Sequence, residues 1–440
     1  MVEEKRSVMK YIRTYETEEK FLTDKDSTSR GFRLKPTLYK YSEAGDHVQL
    51  ELDDPRKHGD STYMEITLDS DVEFSFYIGN APDDTQTIRD CKVDWGDGDS
   101  GSTRLTSDDK GFKLSHNYKA GSYSIELYAI AGYSIIGDAT NYKSLISHPT
   151  SIKRVILGSG IVSIESHTFQ NCSSLTSVYI PDSVTKIGGD AFSGCIGLTS
   201  ILISEGVVSI GKDAFRSCSS LTLVHIPESV TSIEDQAFYN CHSLTSAYIP
   251  SRVAIIKGTF RSCESLTSVH IPEGVISIER NAFSGCTGLT SVNIPESVTK
   301  IGSWGFGGCS SLTSVNIPES VTEIGGSAFN GCTGLTSVNI PESVTKIEGS
   351  AFSECSSLTS ILIPERVTEI LNYAFDGCTS LISISSLNTT APTLGLFGSG
   401  QYTIFTGLPT NGTLHIKPGA TGYDAWLNYL PEGWRIVEDL

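Results

Sequence analysis

The sequence lacks long apolar runs: none reaches the roughly 18 residues that a membrane-spanning helix needs, so we expect no membrane insertion. Its start, MVEEKRSVMKYIRTYE, contains no apolar stretch of the kind found in signal peptides. Basic residues are also scarce, because 33 Lys and Arg stand against 51 Asp and Glu, giving a formal net charge of −18. Without a basic cluster, the chain is not expected to bind nucleic acid or anionic membrane surfaces.

Motifs of common catalytic sites are missing as well. The chain contains no G-x-S-x-G nucleophile motif, no H-E-x-x-H zinc motif and no phosphate-binding loop. We therefore predict that it is not an enzyme and carries no cofactor. Its 440 residues, of which 38% are hydrophobic and 19% charged, match the size and composition of a soluble protein with several domains.

What the sequence has in abundance is a 23-residue repeat. Ten of its 11 cysteines follow one another at 23-residue steps, except for one step of 22 residues between Cys241 and Cys263. A Phe stands three residues before each of these cysteines, and a Leu three residues after it. The repeat reads L-T-S-V-x-I-P-E-S-V-T-x-I-x-x-x-A-F-x-x-C-x-x and extends from about Ile152 to about Leu387. The ten cysteines are Cys172, Cys195, Cys218, Cys241, Cys263, Cys286, Cys309, Cys332, Cys355 and Cys378.

A period of this length that opens with L-x-x-V-x-I indicates a leucine-rich repeat solenoid. The apolar side chains of Leu289, Val292 and Ile294 fall on one side of a strand, and the residues between them point the other way. One repeat cannot bury its apolar side alone, so successive coils must stack. We therefore predict a mainly β solenoid of about ten 23-residue coils, with eleven main strands in one parallel sheet.

The repeat is flanked by two segments of different character. Between residues 58 and 138, alternating apolar and polar residues with tight Gly-Asp turns predict a small β-sandwich. We divide the chain into a charged N-terminal segment (1–30), the sandwich with its preceding strands (31–140), the solenoid (141–387) and a C-terminal capping segment (388–440). A cap is expected because the last coil of a solenoid must be covered by something with a polar outer side.

The repeat resembles the BspA-type, or Treponema pallidum-type, leucine-rich repeat family over more than half of the chain. The stretch Val93–Gly98 (VDWGDG) and the pattern H-x-Y-x-x-G-x-Y-x-I-x-L in His116–Leu127 resemble the polycystic kidney disease (PKD) type of immunoglobulin-like sandwich. The tail, with GTLHIKPGATGYDAW, is similar to the cap of such proteins from gut and oral Bacteroidales. These resemblances imply a cell-surface or extracellular, adhesin-like protein that binds other proteins or host matrix and has no catalytic residues.

The outward residues of the main sheet form the first candidate ligand-binding surface. The N-terminal coils place rings there and the C-terminal coils place Asn, and ring-bearing residues are common anchors in protein interfaces. The alternative is ordinary cross-strand packing of exposed rings. A second contact point is expected where a Trp fills an otherwise small or polar slot at a coil corner. The candidates are Tyr179, His225, Tyr248 and His270, which we call the ring strip, together with Asn293 and Trp304.

Two rows of potential metal ligands run along the repeat, one of carboxylates and one of cysteines. We predict a metal site in neither. Carboxylates arranged in a line do not enclose a calcium ion, so a solvated acidic edge is favoured over a cation site. Thiols in a line cannot surround a zinc ion, so buried, unpaired cysteines are expected. His225 and His270 lie two coils apart, too far to share a metal. The acidic row, interrupted only by Ser251, consists of Asp182, Glu205, Glu228, Glu273, Glu296, Glu319, Glu342 and Glu365.

The predicted function is non-catalytic recognition of a protein or glycoprotein, such as host extracellular matrix or mucosal glycoprotein, through the outward face of the main sheet. The chain is expected to act as a monomer. Two alternatives stay open: a structural spacer or display rod, of surface or phage type, and glycan binding by the PKD-like domain. Rings left uncovered on the strip favour recognition, whereas a strip covered by the cap or the sandwich favours the spacer.

Overall fold

The computed structural model describes residues 37–41, 47–51, 61–80, 91–98, 106–108, 111–129, 133–135, 146–395 and 404–440. The chain divides into two compact units, Met1–Asp60 and Ser61–Leu440. In the first unit, strand β1 (Thr37–Tyr41) pairs antiparallel with strand β2 (His47–Glu51). The charged segment predicted at 1–30 lies outside the described residues.

The second unit opens with short strands in two sheets. They are β3 (Thr62–Leu68), β4 (Val72–Asn80), β5 (Cys91–Asp94), β6 (Thr106–Asp108), β7 (Gly111–Tyr118), β8 (Gly121–Ala129) and β9 (Tyr133–Ile135). Strand β8 lies between β3 and β5 in one sheet, and the order β9-β4-β7-β6 forms the other, with antiparallel neighbours in both. Apolar side chains from both sheets share one core, in which the ring of Phe76 packs edge-on against the buried Trp95 with 6.3 Å between centroids.

Each coil of the repeat contributes one strand to each of two rows. Row A holds Ile152–Ile156, Ser177–Tyr179, Ser200–Leu202, Leu223–His225, Ser246–Tyr248, Ser268–His270, Ser291–Asn293, Ser314–Asn316, Ser337–Asn339, Ser360–Ile363, Ser383–Ser386, Thr413–Ile416 and Arg435–Glu438. Row B holds Ile161–Ile164, Lys186–Ile187, Ser209–Ile210, Ser232–Ile233, Ile255–Ile256, Ser277–Ile278, Lys300–Ile301, Glu323–Ile324, Lys346–Ile347, Glu369–Leu371 and Thr393–Gly395. The described helices are two short 3-10 turns, Pro149–Ser151 and Tyr423–Asn428. The predicted mainly β solenoid is therefore confirmed, with about 12 turns.

Rows A and B continue directly into the two N-terminal sheets. Strand β3 pairs antiparallel with the first strand of row A, so that Met64 lies opposite Val155. Strand β9 pairs parallel with the first strand of row B, Ile161–Ile164. The N-terminal strands thus cover the first coil, and the boundary drawn near residue 140 falls inside one compact unit.

Strand pairing within the rows is parallel and in register but not continuous. Row A is interrupted after His225, His270 and Asn339, and row B after Ile233 and Ile324. Because most of these strands have only two to four residues, a small change in the angle between coils is enough to remove a pair of ladder bonds. The expected single sheet is in fact a series of shorter parallel sheets on one core.

A column of stacked Phe rings runs through that core. From Phe169 to Phe375 there is one ring per coil, and neighbouring centroids lie 5.2–5.8 Å apart. The ten ladder cysteines are buried and unpaired, as predicted. From Cys195 onward, each Sγ lies 3.1–3.3 Å from the carbonyl oxygen of a Phe in the preceding coil, to which the thiol donates. The thiols therefore act as weak hydrogen-bond donors as well as small apolar fillers.

Threonine ladders tie neighbouring coils together outside the core. The Oγ1 of Thr245 donates to the carbonyl oxygen of Thr222 at 3.3 Å, and Thr222 donates to Thr199 at 3.1 Å. A second ladder lies beside row B, where Thr322 donates to the carbonyl oxygen of Thr299 at 3.4 Å. These bonds give the recurrent L-T-S and S-V-T motifs a structural role, because each hydroxyl reaches the equivalent position one coil earlier.

The C-terminal segment extends row A and the Phe column. Strand Thr413–Ile416 pairs parallel with Ser383–Ser386, and Arg435–Glu438 pairs parallel with Thr413–Ile416. Phe405 stacks on the last ring of the column with 6.2 Å between centroids. Trp426 then tilts against Phe405 at 5.6 Å, so the column ends in a buried indole. This segment covers the last coil of the repeat.

Candidate ligand-binding surface of the repeats

Row A presents one outward side chain per coil, at the third residue of each short strand. The second residue is apolar and buried, as Val178 and Val224 are, and alternation turns the third residue outward. Register places these outward residues side by side, with Tyr179 opposite Leu202 and Leu202 opposite His225. The ring strip therefore contains an aliphatic residue between its first two members.

The exposure of the outward residues rises along row A. Ile156, in the first coil, is buried, and the four residues of the ring strip are half-buried. Asn293, Asn316 and Asn339 lie opposite one another in register and are exposed. Each of the four rings keeps part of its surface accessible.

The centre of the ring strip is a fixed cluster of rings and a carboxylate. The rings of Tyr248 and His270 stack with 5.4 Å between centroids and 8° between planes. The Tyr248 hydroxyl donates to Oε1 of Glu228 at 2.6 Å. The other carboxylate oxygen accepts from the backbone N–H of Ser251 at 3.1 Å and from its hydroxyl at 2.7 Å. Three hydrogen bonds therefore hold the carboxylate beside the stacked rings.

Sequence reasoning missed this role of Glu228, which it counted only as one member of the acidic row. The signal was the single interruption of that row, because Ser251 is the residue that replaces the acid one coil later. A second carboxylate there would repel the first, whereas a serine donates two hydrogen bonds to it. Ser251, which interrupts the acidic row, and Tyr248 of the ring strip therefore lie in one hydrogen-bonded cluster around Glu228.

Burial favours the neutral form of the His225 imidazole. Burial lowers the pKa of His225 from its ordinary value of 6.5, and the nearby Glu228 carboxylate raises it by a smaller amount. The imidazole therefore offers one donor and one acceptor rather than a cation. This part of the strip presents rings and hydrogen-bonding groups, with its negative charge at Glu228.

Trp304 lies apart from the strip, on the turn side of the coil that connects row B back to row A. Its backbone is in the left-handed region, with a φ of 59°, and 39% of the residue is exposed. The indole lies so close to Gly307 that a side chain at that position would collide with it. The structure therefore brings Tyr179, His225, Tyr248 and His270 to one face and places Trp304 on another.

The acidic row is an edge of separate carboxylates. Burial raises the pKa of Glu205, and the charges of Asp182 and Glu228 on the adjacent coils add to this effect. Among the residues that the structure describes, no three His, Cys, Asp or Glu side chains are grouped so as to hold a metal ion. At the cap, Lys417 pairs with Glu365 at 3.4 Å. The row is thus a line of charges that repel one another.

Solved structures with a similar repeat come from several bacteria. A leucine-rich repeat protein from Bacteroides ovatus is 26% identical, with 73% of this chain and 90% of that chain covered and a TM-score of 0.47. A leucine-rich cell surface protein from Faecalibacterium prausnitzii is 25% identical over 75% of this chain and 98% of that chain, with a TM-score of 0.39. The pneumococcal vaccine antigen PcpA is 18% identical over 70% of this chain and 83% of that chain, with a TM-score of 0.45. No curated protein matches the chain.

The repeat also matches a family model directly. The model of the BspA type leucine-rich repeat region matches residues 143–259 and 253–382, which together span more than half of the chain. The match indicates no enzyme family. In the described part of the chain, no helix has the length and apolar character needed to cross a membrane. The resemblance of the repeat is thereby confirmed: the chain belongs to the BspA type leucine-rich repeat family.

Proposed function

We propose that the chain is a non-catalytic surface protein that binds a protein or glycoprotein through the ring strip. The observation that carries this proposal is the cluster of Tyr248, His270 and Glu228, in which stacking and hydrogen bonds fix two partly exposed rings beside a carboxylate. Side chains that are already ordered lose little conformational entropy on binding, so such a cluster favours affinity. Tyr179, His225 and Asn293 extend the contact surface along row A.

A location at the cell surface or outside the cell is part of the proposal. Family membership supports it, and the similar protein from Faecalibacterium prausnitzii is described as a cell surface protein. We also assign β3 to β9 to a PKD-like sandwich, on the motif VDWGDG and on two antiparallel sheets with a shared core. In this arrangement the sandwich closes the solenoid at the end where the ring strip begins.

A spacer function is the second candidate, and the coils between Leu289 and Cys355 favour it. Their outward residues in row A repeat Ser and Asn and include no ring. Such a uniform surface is suited to setting the distance between the ends of the solenoid rather than to binding a partner. The two candidates are compatible along the chain, because different coils carry the different surfaces. The two candidates make different predictions for a variant without the rings of the strip: recognition predicts that it binds its partner more weakly, and a spacer function predicts no change in binding.

Capture of purified proteins tests the proposal. The full chain is passed over immobilised mammalian matrix proteins and mucins and compared with the Tyr248→Ala/His270→Ala variant. Truncating an interface anchor costs about 2 kcal/mol or more, so we expect at least a tenfold loss of affinity for whichever protein the wild type captures. The matched control is Asn316→Ala/Asn339→Ala, which changes the same row in the uniform coils and is expected to bind as the wild type does.

Thermal unfolding serves as the check on folding, since both variants are expected to unfold within a few degrees of the wild type. Equal capture by all three proteins would contradict recognition through the ring strip. Absence of capture by the wild type would favour the spacer.

A further inference from the structure

The turn side of the coils carries a second row of residues, one directly after each Phe of the column, in which Ser193, Gly307 and Ser353 are buried and Arg216 is exposed. In chain order the row consists of Gln170, Ser193, Arg216, Tyr239, Arg261, Ser284, Gly307, Asn330, Ser353 and Asp376. Backbone bonds between coils hold this row in register. The N–H of Ser217 donates to the carbonyl oxygen of Tyr239 at 2.7 Å, and the N–H of Asn240 donates to that of Arg261 at 3.0 Å.

Three neighbours in this row form an arginine–tyrosine–arginine stack. The Cζ atom of Arg216, from the coil before, lies 5.2 Å from the centroid of the Tyr239 ring. The Cζ atom of Arg261, from the coil after, lies 5.3 Å from the same centroid. With one coil between them, the two guanidinium groups are roughly 10 Å apart. A guanidinium that stacks on a ring keeps the N–H donors at its edge available for an anion.

Cations and carboxylates lie close together around this stack, since Arg216, Lys212, Asp190 and Asp235 are all near Asp213. Arg216 lies 3.8 Å from Asp213, and its side chain is 47% exposed. Arg261 is half-buried, and among the described residues it has no carboxylate within ion-pair distance. The exposed Lys212 and Lys257 precede the two arginines by four residues each. Arg261 is therefore the cation of the stack that has no ion-pair partner among the described residues, and an anionic ligand would supply one.

We propose that Arg216, Tyr239 and Arg261 form a binding site for the carboxylate and sulfate groups of an acidic glycan. The site lies on the turn side, away from the ring strip, and does not depend on what the strip binds. A glycan fits better than an acidic peptide because the residues next to the stack, Ser217 and Asn240, supply hydroxyl and amide groups for sugar hydroxyls. The apolar residues of this segment, such as Phe238 and Phe260, are buried in the core, so the surface beside the stack is formed by polar groups.

Calorimetric titration of the full chain with defined oligosaccharides tests the site. The probes are a chondroitin sulfate tetrasaccharide, a hyaluronan tetrasaccharide and the neutral chitotetraose, each at 50 mM and 300 mM salt. We expect the two acidic probes to bind and chitotetraose not to bind. Binding is expected to weaken at high salt, since charge pairs at an exposed site are screened. Tighter binding of the sulfated probe than of hyaluronan would assign sulfate as the preferred anion, and the reverse order would assign carboxylate.

Variants locate the site. The Arg216→Gln/Arg261→Gln protein is expected to lose at least tenfold in affinity for the acidic probes, and Tyr239→Ala to weaken binding because the guanidinium groups lose the ring between them. The control Arg252→Gln/Arg366→Gln removes the same charge from two exposed arginines outside the row and is expected to bind as the wild type. Unfolding temperatures of all variants check that each is folded.

Several results would overturn the proposal. These are no binding of either acidic probe by the wild type, an equal loss in the control variant, and undiminished binding by the double glutamine variant. A poly-glutamate peptide that binds more tightly than both acidic glycans would show that the site serves acidic peptides instead. Loss of glycan binding with unchanged capture by the ring strip would separate this site from the proposed function.

Discussion

Two stretches of the repeat have nearly the same core and different surfaces. Between Leu198 and Cys286, the coils present His225, Tyr248 and His270 on row A and the arginine–tyrosine–arginine stack on the turn side. Between Leu289 and Cys355, the coils repeat Ser and Asn on row A with little change. Most buried positions hold the same residue types in both stretches, and the main exceptions are Ile201, Ala247 and the half-buried Val269 at a row A position where the uniform stretch has buried Val. The core fixes the fold, so variation outside it is free to serve recognition.

The largest expected effect tests whether the two cores are equivalent. Phe238→Ala and Phe329→Ala each remove one ring from the column, where neighbouring centroids lie 5.2–5.7 Å and 5.5–5.6 Å away, respectively. We expect each to lower the free energy of unfolding by about 3–5 kcal/mol, measured in urea. Costs that differ by more than about 1.5 kcal/mol would show that the varied coils also differ inside.

The second prediction concerns pH and the cysteine ladder. Burial raises the pKa of Cys218 and Cys332 from the ordinary 9.0 to about 12. A raised pKa in the folded state contributes stability that is complete below about pH 9 and lost as the pH rises toward 12, because the unfolded chain can release the protons earlier. Thermal unfolding of a Cys91→Ser protein, in which the ladder holds all thiols, should therefore shift to lower temperature above pH 9.

The same protein should resist a thiol reagent at pH 8 until it unfolds, because buried neutral thiols are poor nucleophiles. Labelling of the folded protein at the rate of an exposed cysteine would contradict the burial of the ladder cysteines. Cys218→Ala and Cys332→Ala should remove similar parts of the alkaline shift, one from each stretch.

A smaller effect is expected when Glu228, the acidic residue beside the ring strip, is compared with the equivalent Glu319 of the uniform stretch. Glu228→Gln removes the charge that raises the pKa of His225, so the pKa of this imidazole should fall further in an NMR titration. The hydrogen bond to the Tyr248 hydroxyl also becomes weaker. Glu319→Gln makes the same change in the uniform stretch and should leave His225 unaffected. An unchanged titration of His225 in Glu228→Gln would mean that the carboxylate is not held beside the strip.

The smallest expected effect concerns Trp304. The other three tryptophans, Trp95, Trp426 and Trp434, are buried, so iodide should quench mainly the emission of Trp304. Trp304→Asn introduces the residue found at this position one coil earlier, which tolerates a positive φ. We expect loss of the quenchable emission and a gain in stability of about 1 kcal/mol. Quenching that persists in this variant would place another indole at the surface.

The sequence was sufficient for the core of the repeat and for the burial of its cysteines. Regular spacing alone locates each Phe, Cys and Leu, and each proved to be buried. It was insufficient where partners lie far apart in the chain, as Met64 and Val155 do, because an antiparallel contact between such strands leaves no periodic signal. Phe405 was missed for a related reason, since it continues the ring column outside the 23-residue spacing.

The site was predictable only in part. Alternation along row A identified the outward rings, but the hydrogen bonds of Glu228 depend on rotamers that a pattern does not encode. The left-handed position filled by Trp304 does leave a signal, because other coils fill it with Asp190, Gly258 and Asn281, residue types that adopt positive φ readily. Trp304 then stands out together with Gln236 and Tyr373, whose φ at the equivalent position is also positive although these residue types rarely adopt it.

The parallel register between coils has a consequence for how such a chain changes length. Each coil meets its neighbours through the same Phe, Cys and Thr contacts, so a 23-residue insertion or deletion in the uniform stretch would leave every interface of the same kind. Each such step would move the two ends of the solenoid apart or together by about 4.8 Å. Whole-coil insertions or deletions would therefore change the distance between the ring strip and the C-terminal end in fixed increments, while the residues of both stay the same.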